Sequence, residues 1–377
     1  MKKSARSFNS FLPRADWLVV GWVLVIKFLI LFLGATSYRI LFNRSLEGPR
    51  DWLMIWNRWD APHYLELAQY GYRAAPGVFR EFALAYFPLY PWLVRFCAYL
   101  TSDYLVAAFV VSGITLFFAA ILLRRLAELE FDPETALRSV WFFLIFPTAY
   151  FLHIGYTESL FVALVLGSVL AARRERWALA GVLGALVCLS RPTCIILMPT
   201  LAVEVLHQFL VSRRWRRQWL WLLLVPCGLV LYMFVNRWAA GDSLAFLRIR
   251  RDYFHISFAP PWRGVLEAWG NRHQTGEAGE MVGYQEFFFI VFGLVCTIVS
   301  WFQLRPIYAT WMTGTWLLFA STTFMQSVPR YTLTMFPVFF LLAKLGANRF
   351  WHTAITVWSL LFLALFATLF AWGHWAF

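Results

Sequence analysis

Residues 58–72, RWDAPHYLELAQYGY, gather charged, ring and hydroxyl-bearing side chains within an otherwise very apolar chain. Asp60 stands between Arg58 and His63, and a carboxylate in such a setting can accept a proton during catalysis. A second interpretation is equally open, because an aspartate directly before Ala61 and Pro62 is also a good N-cap for the following helix. Asp60 is therefore a candidate catalytic base, a candidate helix cap, or both.

The elements around Asp60 follow from the spacing of the apolar residues. A stripe with helical spacing precedes it, made of Trp52, Ile55, Trp56 and Trp59. This stripe predicts a helical segment lying on a membrane surface. Pro62 then opens a new helix that carries His63, Tyr64 and Leu67 on one face.

The composition predicts an all-α polytopic membrane protein. The chain has 377 residues, of which 61% are hydrophobic, 20% aromatic and only 14% charged. Soluble domains contain roughly 45–50% apolar and about 25% charged residues. The net charge of +13 does not indicate a nucleic-acid partner, because the basic residues form short clusters between apolar segments, where topology signals belong. The five cysteines lack metal-ligand spacing and no nucleotide-binding motif is present, so we expect neither a metal nor a cofactor.

About eleven segments are long and apolar enough to suggest membrane spans. They lie near 17–35, 104–123, 137–153, 158–172, 177–190, 193–211, 217–236, 285–303, 306–324, 331–346 and 352–374. The first is expected to be an uncleaved signal anchor that holds Lys27. The basic clusters place the N-terminus inside and the C-terminus outside.

Two large outer loops, 36–103 and 237–284, then cover one helical bundle that forms a single domain over residues 1–377. The segment FPLYPWLVRFCAYLT, residues 87–101, would reverse this register if it crossed the membrane. It contains Pro88, Pro91 and Arg95, so we predict an interfacial helix on the outer surface.

Glu158 is the second candidate carboxylate, at the start of the fourth predicted span and close to His153. An ionisable residue at the end of a span, facing a loop that holds Asp60, indicates a functional site. The alternative is that Glu158 only stabilises the start of its helix, with Thr157 as the cap.

Two isolated arginines, Arg191 in LSRPT and Arg330 in SVPRY, stand at outer helix ends, where cations are disfavoured. Something negative must offset each of them. A lipid phosphate is one possibility, because guanidinium binds phosphate bidentately, and an ion pair with Glu158 is another.

The motif RWDAPHYLELAQYGY, followed by FPLYP at 87–91, resembles the GPI mannosyltransferase 2 (PIG-V-like) family. Members carry a related pattern in their first luminal loop, and TESLF at 157–161 and PRY at 329–331 are similar to motifs of the wider GT-C superfold. The resemblance implies a GT-C-type bundle and a polyprenyl- or dolichyl-phosphate-linked sugar donor, with mannose as the expected sugar. By matching position, Asp60 would be the catalytic carboxylate.

The other site residues expected from this reading are Glu158 as a second catalytic carboxylate and Arg58, His63, Tyr64, His153, Arg191, Arg330 and Tyr331 as substrate-binding residues. The compact chain with arginine-rich turns suits a bacterial member, placed in the inner membrane with its site on the periplasmic face. The acceptor of the eukaryotic family does not carry over. The alternative function is a transporter or lipid flippase, for which Lys27, Glu204 and His207 are the candidate charges.

Overall fold

The computed structural model describes residues 14–43, 45–77, 79–271, 279–323 and 327–376. Apart from one isolated antiparallel bridge between Phe258 and Thr322, the regular structure of these residues is helical. The N-terminal part contains α1 (Arg14–Phe42), α2 (Pro49–Met54), α3 (Asp60–Tyr70), α4 (Phe79–Phe82) and α5 (Leu89–Thr101). The middle part contains α6 (Tyr104–Ala127), α7 (Pro133–Ile145), α8 (Tyr150–His153), α9 (Glu158–Arg173), α10 (Trp177–Cys188), α11 (Leu197–Ser212) and α12 (Val225–Ala240). The C-terminal part contains α13 (Ala245–Asp252), α14 (Pro261–Asn271), α15 (Gly279–Gln303), α16 (Pro306–Ala320), α17 (Val328–Thr334), α18 (Pro337–Leu345) and α19 (Arg349–Trp372). Short 3-10 helices occupy Ala83–Ala85, Pro192–Ile196 and Arg217–Leu224.

Six helices within the described ranges are long and apolar enough to cross a membrane. They are Arg14–Phe42, Tyr104–Ala127, Pro192–Ser212, Arg217–Ala240, Gly283–Gln303 and Arg349–Trp372. A helix overlaps each of the eleven predicted spans, but only these six of the described helices are long enough to cross a membrane, fewer than predicted. Two predicted spans are broken: 137–153 divides into α7 and α8, and 331–346 divides into α17 and α18. In the first break, Phe146 adopts extended backbone before Pro147, as the ring of a following proline requires.

The apolar stripe before Asp60 is only partly on the surface, where all of it was predicted, because Ile55 and Trp56 are buried while Trp59 is exposed. Helix α2 ends at Met54, so the stripe is not one helix, and Trp56 is buried. Its ring stacks on Phe370 and fills the space over Gly34 of α1, where a Cβ would lie 2.2 Å from the Trp56 ring. The stripe therefore anchors the first loop to the bundle, because burying a large ring between helices removes more apolar surface than laying it flat.

Helix α5 corresponds to the predicted interfacial segment. Its 13 residues extend only about 20 Å, short of the ~30 Å of a hydrocarbon core. Phe96, Tyr99 and Leu100 are exposed on one face, while Arg95 at the edge of this face donates to the Ala68 carbonyl of α3. These features are those expected of an interfacial helix that packs on the loop.

Ion pairs tie the helices together at the end of the bundle away from Asp60. Asp16 at the start of α1 pairs with Arg124 and Arg125 at the end of α6. Glu204 of α11 pairs with Arg305 at the start of α16. The arginines of this end are therefore used partly for helix packing, in addition to the topological role that their clustering suggests.

Cysteine labelling tests the predicted orientation. Cysteines placed at Tyr70 and Gly270, both exposed on the loop side, should react with an impermeant reagent from outside the cell. A cysteine at Arg174, exposed at the opposite end, should react only after permeabilisation. The background is the Cys227→Ser variant, since Cys227 is itself exposed. Labelling of Tyr70 and Gly270 positions only after permeabilisation would reverse the assigned topology.

Candidate active site

Asp60 is the first residue of α3, and its carboxylate points to other elements instead of capping its own helix. Trp59 occupies the N-cap position, and it makes no side-chain capping bond. Asp60 Oδ2 accepts from Arg330 Nη1 at 2.7 Å, and Oδ1 accepts from the Tyr86 hydroxyl at 3.2 Å. The N-cap interpretation of Asp60 is therefore wrong.

The turn before Asp60 is strained. Trp59 has φ 55° and ψ −108°, in a region that a bulky residue rarely adopts. Tyr156 spans this turn, because its hydroxyl donates to the Arg58 carbonyl at 2.7 Å and accepts from the Asp60 amide at 3.3 Å. A single hydroxyl group thus fixes both peptides that flank the strained residue and sets the direction of the Asp60 side chain.

Glu158 is the centre of a buried ion-pair network. Its side chain is 0% exposed, and Oε1 accepts from Arg330 Nε and from Arg191 Nη1, both at 2.5 Å. Thr157 makes no side-chain cap at the start of α9, so the predicted Thr157 cap is wrong. A carboxylate in the first turn of a helix is favoured by the helix dipole, and here it also neutralises two cations.

Aromatic rings enclose the two arginines. The guanidinium carbon of Arg330 lies 4.7 Å from the Phe151 ring centroid and 4.8 Å from that of Tyr156. The guanidinium carbon of Arg191 lies 5.7 Å from the Tyr331 ring centroid. Cations over aromatic faces are stabilised where water is scarce. Tyr331, a predicted substrate-binding residue, therefore packs against a site arginine.

The two carboxylates differ in their access to solvent. The Asp60 side chain is 33% exposed, whereas Glu158 is closed off. Burial first, and then the charge of Asp60, raise the pKa of Tyr86 well above its ordinary value, so its hydroxyl stays protonated and donates to Asp60. Formal charges cancel, since two guanidinium groups face two carboxylates, and only Asp60 is open to an incoming molecule.

Arg58 and His153, both predicted site residues, lie apart from this network. Arg58 Nε donates to the carbonyl of Ile55 at 3.3 Å, and only its own carbonyl faces the site. His153 is fully buried, and its carbonyl accepts from Lys27 Nζ at 2.8 Å. Among the described contacts, none joins either side chain to Asp60, Glu158 or the two arginines. Their predicted substrate contacts have no support in this geometry.

His63 and Tyr64 surround the site without touching the network. The His63 ring stacks on Phe79, with ring centroids 4.8 Å apart, and lies 5.4 Å from the Tyr86 ring. Tyr64 is buried and packs edge-to-face on Tyr86 and on Tyr156. Both residues therefore position the tyrosines that hold Asp60.

Tyr86 and Tyr156 are site residues that the sequence did not single out. Each stands directly beside a recognised motif, since Tyr86 precedes FPLYP and Tyr156 precedes TESLF. That adjacency is the available signal. The described residues contain no group of three histidine, cysteine, aspartate or glutamate side chains that could hold a metal ion.

Comparisons with known proteins agree with this architecture. A family model described as dolichyl-phosphate-mannose-protein mannosyltransferase matches residues 86–238, a stretch that contains Glu158 and Arg191 and stops short of Asp60 and Arg330. GPI mannosyltransferase 2 from Schizosaccharomyces pombe is 26% identical over 172 residues, which are 43% of this chain and 36% of that protein. The predicted resemblance to GPI mannosyltransferase 2 is thus confirmed as a sequence similarity.

Two solved structures share the fold. The crystal structure of ArnT from Cupriavidus metallidurans bound to undecaprenyl phosphate matches with a TM-score of 0.52 and 16% identity, covering 88% of this chain and 60% of ArnT. The apo state of the same protein gives a TM-score of 0.53 and 15% identity, covering 89% of this chain and 62% of ArnT. The chain therefore spans about three fifths of ArnT and little more than a third of the yeast relative. The fold is of the predicted GT-C type, and the long apolar helices are those of an integral membrane protein.

Replacing Glu158 by glutamine should destabilise the protein strongly. The variant leaves two buried guanidinium groups with one carboxylate, and removing one partner of a buried pair typically costs about 3–5 kcal/mol. Glu134→Gln is the control, because Glu134 is exposed and pairs with Arg138 at i,i+4, an arrangement that contributes only ~0.3–0.5 kcal/mol. Unfolding of the purified proteins in detergent measures both effects. Equal stability of Glu158→Gln and wild type would contradict the structural importance of this network.

Proposed function

We propose that this protein is an inverting glycosyltransferase that moves a sugar from a polyprenyl-phosphate-linked donor to an acceptor hydroxyl. The observation that carries the proposal is the contact between Asp60 Oδ2 and Arg330 Nη1 at 2.7 Å. It sets a partly exposed carboxylate directly beside a buried guanidinium pair, which combines a base with an anion site. A reaction that removes a proton at one point and releases a phosphate at the next requires such a combination.

Asp60 acts as the general base in this proposal. The acceptor oxygen attacks C1 of the sugar while its proton passes to the Asp60 carboxylate, and the bond between C1 and the phosphate oxygen breaks on the opposite face. The carrier leaves as a polyprenyl phosphate monoester. The hydroxyl groups of Tyr86 and Tyr156 hold Asp60 in one orientation through their hydrogen bonds. A base that is already oriented needs less reorganisation to reach the transition state.

Arg330 and Arg191 stabilise the departing phosphate. Both are buried, and both are bonded to Glu158, which keeps two like charges close together without substrate. The donor phosphate adds negative charge to a set of formally balanced groups, and the planar guanidinium donors match phosphate oxygens. Glu158 is therefore a scaffold for the arginines, whereas the sequence had suggested a second catalytic carboxylate.

The chemistry of the relatives guides the choice of donor. The names of the matched family and of the yeast protein refer to mannosyl transfer, and the ArnT structure contains undecaprenyl phosphate. We accordingly propose mannose on a polyprenyl carrier, used on the exoplasmic face of a bacterial inner membrane. The donor reaches the site through the bilayer, so no nucleotide-binding fold is required.

The acceptor is proposed to approach from the loop side. A cleft of about 320 Å³ lies between the two loops, lined in part by Arg80, Glu81, Arg248 and Asp252. Tyr253 at its edge stacks on Phe82, with ring centroids 4.5 Å apart. Mixed charges beside aromatic rings suit a hydroxyl-rich glycan or glycolipid.

Transport is the alternative function, and the described charges favour it less. Glu204 is paired with Arg305 away from the loops, and Lys27 donates to a backbone carbonyl. These contacts hold helices together and do not form a continuous polar path. Transfer of radiolabelled sugar by the purified protein, compared with lipid flux in liposomes, separates the two functions.

The Asp60→Asn variant should fold and insert, with a smaller loss of stability than Glu158→Gln because Asp60 is 33% exposed, but it should transfer almost no sugar. Asparagine can still accept from Arg330 through its one oxygen and donate its amide N–H to the Tyr86 hydroxyl. It cannot take a proton at neutral pH, and loss of a general base typically lowers the rate by ~10²–10⁴. The assay is sugar transfer from a synthetic mannosyl-phosphoryl-polyprenol to an alkyl glycoside.

Asp103→Asn is the matched control for this variant. Asp103 lies in the same loop and caps α6 through the amides of Leu105 and Val106, a role that asparagine fills equally well. Its turnover should stay near that of wild type. Near-normal transfer by Asp60→Asn would exclude Asp60 as the base.

Arg330→Lys should raise the donor KM more than it changes stability. Lysine keeps the positive charge but cannot hold Asp60, Glu158 and a phosphate with one planar group. Steady-state kinetics with varied donor measure the effect, and Arg305→Lys at the opposite end of the bundle is the control. If Arg330→Lys and Arg191→Lys both use the donor normally, the phosphate assignment is wrong.

A further inference from the structure

Glu286 is a buried carboxylate outside the network described above. It lies on α15 and is 2% exposed. Its Oε2 accepts from the backbone amide of Val328 at 2.8 Å, and Oε1 has no hydrogen-bond partner among the described residues. A carboxylate in an apolar helix is unfavourable unless it serves a specific contact, so its bond to Val328 requires an explanation.

Val328 is the first residue of α17, the seven-residue helix that carries Arg330. The first amides of a helix lack partners within the helix and are normally satisfied by a side chain at the N-cap. Ser327 occupies that position with φ 65°, and it makes no capping bond. Glu286 therefore caps α17 from a different helix, at a turn whose backbone is itself strained.

Two further bonds hold α17 from other sides. Thr148 Oγ1 donates to the Pro329 carbonyl at 3.0 Å, and Trp311 Nε1 donates to the Thr334 carbonyl at 3.1 Å. These bonds and the Glu286 cap fix both ends of a helix with fewer than two full turns. Because Arg330 is its third residue, the position of the cap determines where the guanidinium group lies.

The guanidinium group of Arg330 must be positioned accurately. Arg330 must place Nη1 at 2.7 Å from Asp60 and Nε at 2.5 Å from Glu158 simultaneously. A displacement of about 1 Å takes either bond beyond hydrogen-bonding distance. A helix this short has little rigidity of its own, so its neighbours must supply it.

We propose that Glu286 is a positioning residue that caps α17 and thereby sets Arg330 between Asp60 and Glu158. This inference rests on the proposed function, in which Arg330 contacts the donor phosphate. Glu286 itself touches neither the base nor the donor. It acts through the backbone of residues 327–330.

The experiment compares Glu286→Gln and Glu286→Ala in donor kinetics. Glutamine keeps an oxygen that accepts the Val328 amide, so its donor KM should stay within about twofold of wild type. Alanine removes the cap, and we expect the donor KM to rise about tenfold, the effect of losing roughly one modest hydrogen bond. Equal defects in both variants would overturn the capping role.

Glu204→Ala is the matched control, because it removes an equally buried carboxylate at the opposite end of the bundle. It should lower stability without raising the donor KM. If Glu204→Ala raises the donor KM as much as Glu286→Ala does, the effect is general destabilisation and the proposal is wrong.

A double-mutant cycle with Arg330→Ala links the effect to the arginine. Once Arg330 is absent, Glu286→Ala should change donor KM no further, whereas additive effects would overturn the proposal. The same cycle is measured by thermal unfolding. The midpoint of the double variant should fall by less than the sum of the decreases in the two single variants. If the wild-type protein transfers no sugar, the proposed function fails, and the unfolding cycle alone then decides whether Glu286 positions Arg330.

Discussion

A charge inside an apolar bundle has to be paired, and the pairing of Glu158 with Arg191 and Arg330 is the constraint on which the rest of the structure depends. The cost of removing ions from water is recovered only when their geometry is accurate and their remaining donors are satisfied. This requirement explains the breaks in the surrounding helices. α9 starts at Glu158, and Arg191 precedes a 3-10 turn, while Arg330 sits on a helix of seven residues. Each break brings one charged side chain to a common point.

The same constraint separates the roles of the two carboxylates. Glu158 is closed off and serves the arginines, whereas Asp60 reaches the network from the loop and keeps part of its surface open. Its orientation depends on the strained turn at Trp59 and on the hydroxyl of Tyr156 that spans it. Strain at this position is consistent with a site in which the direction of one side chain matters more than local stability.

The charged residues of the site could be predicted from the sequence, but the tyrosines that bond to them could not. Glu158, Arg191 and Arg330 each violate an expectation about apolar or outer segments, and Asp60 stands in the first-loop motif. The sequence therefore revealed all four, and the structure brings them together. Arg58 and His153 were proposed because they lie near these residues in sequence, yet neighbouring side chains on a helix or turn point in different directions. Position along the chain was therefore a poor guide for them.

The missed residues act through contacts that no local pattern encodes. Tyr86 and Tyr156 are two tyrosines among fifteen, and their hydroxyls become specific only when loop and bundle meet. Glu286 did carry a signal, since it is an ionisable residue near the start of an apolar segment. Composition predicted an all-α membrane bundle, and the family resemblance implied its GT-C type. The number of spans was not predictable, because prolines divide segments whose hydropathy is continuous.

The bond between Asp60 and Arg330 joins residues that are 270 positions apart. It cannot form until nearly the whole chain has been synthesised and inserted. During synthesis, Glu158 can pair first with Arg191, 33 positions later, and only afterwards with Arg330, 172 positions away. The helices of the first half must consequently enter the membrane before all of these ion pairs can form. Arg330, in the last quarter of the chain, then completes them. A ribosome that stopped before residue 330 would release a protein in which Asp60 lacks its arginine partner and Glu158 has only one of its two.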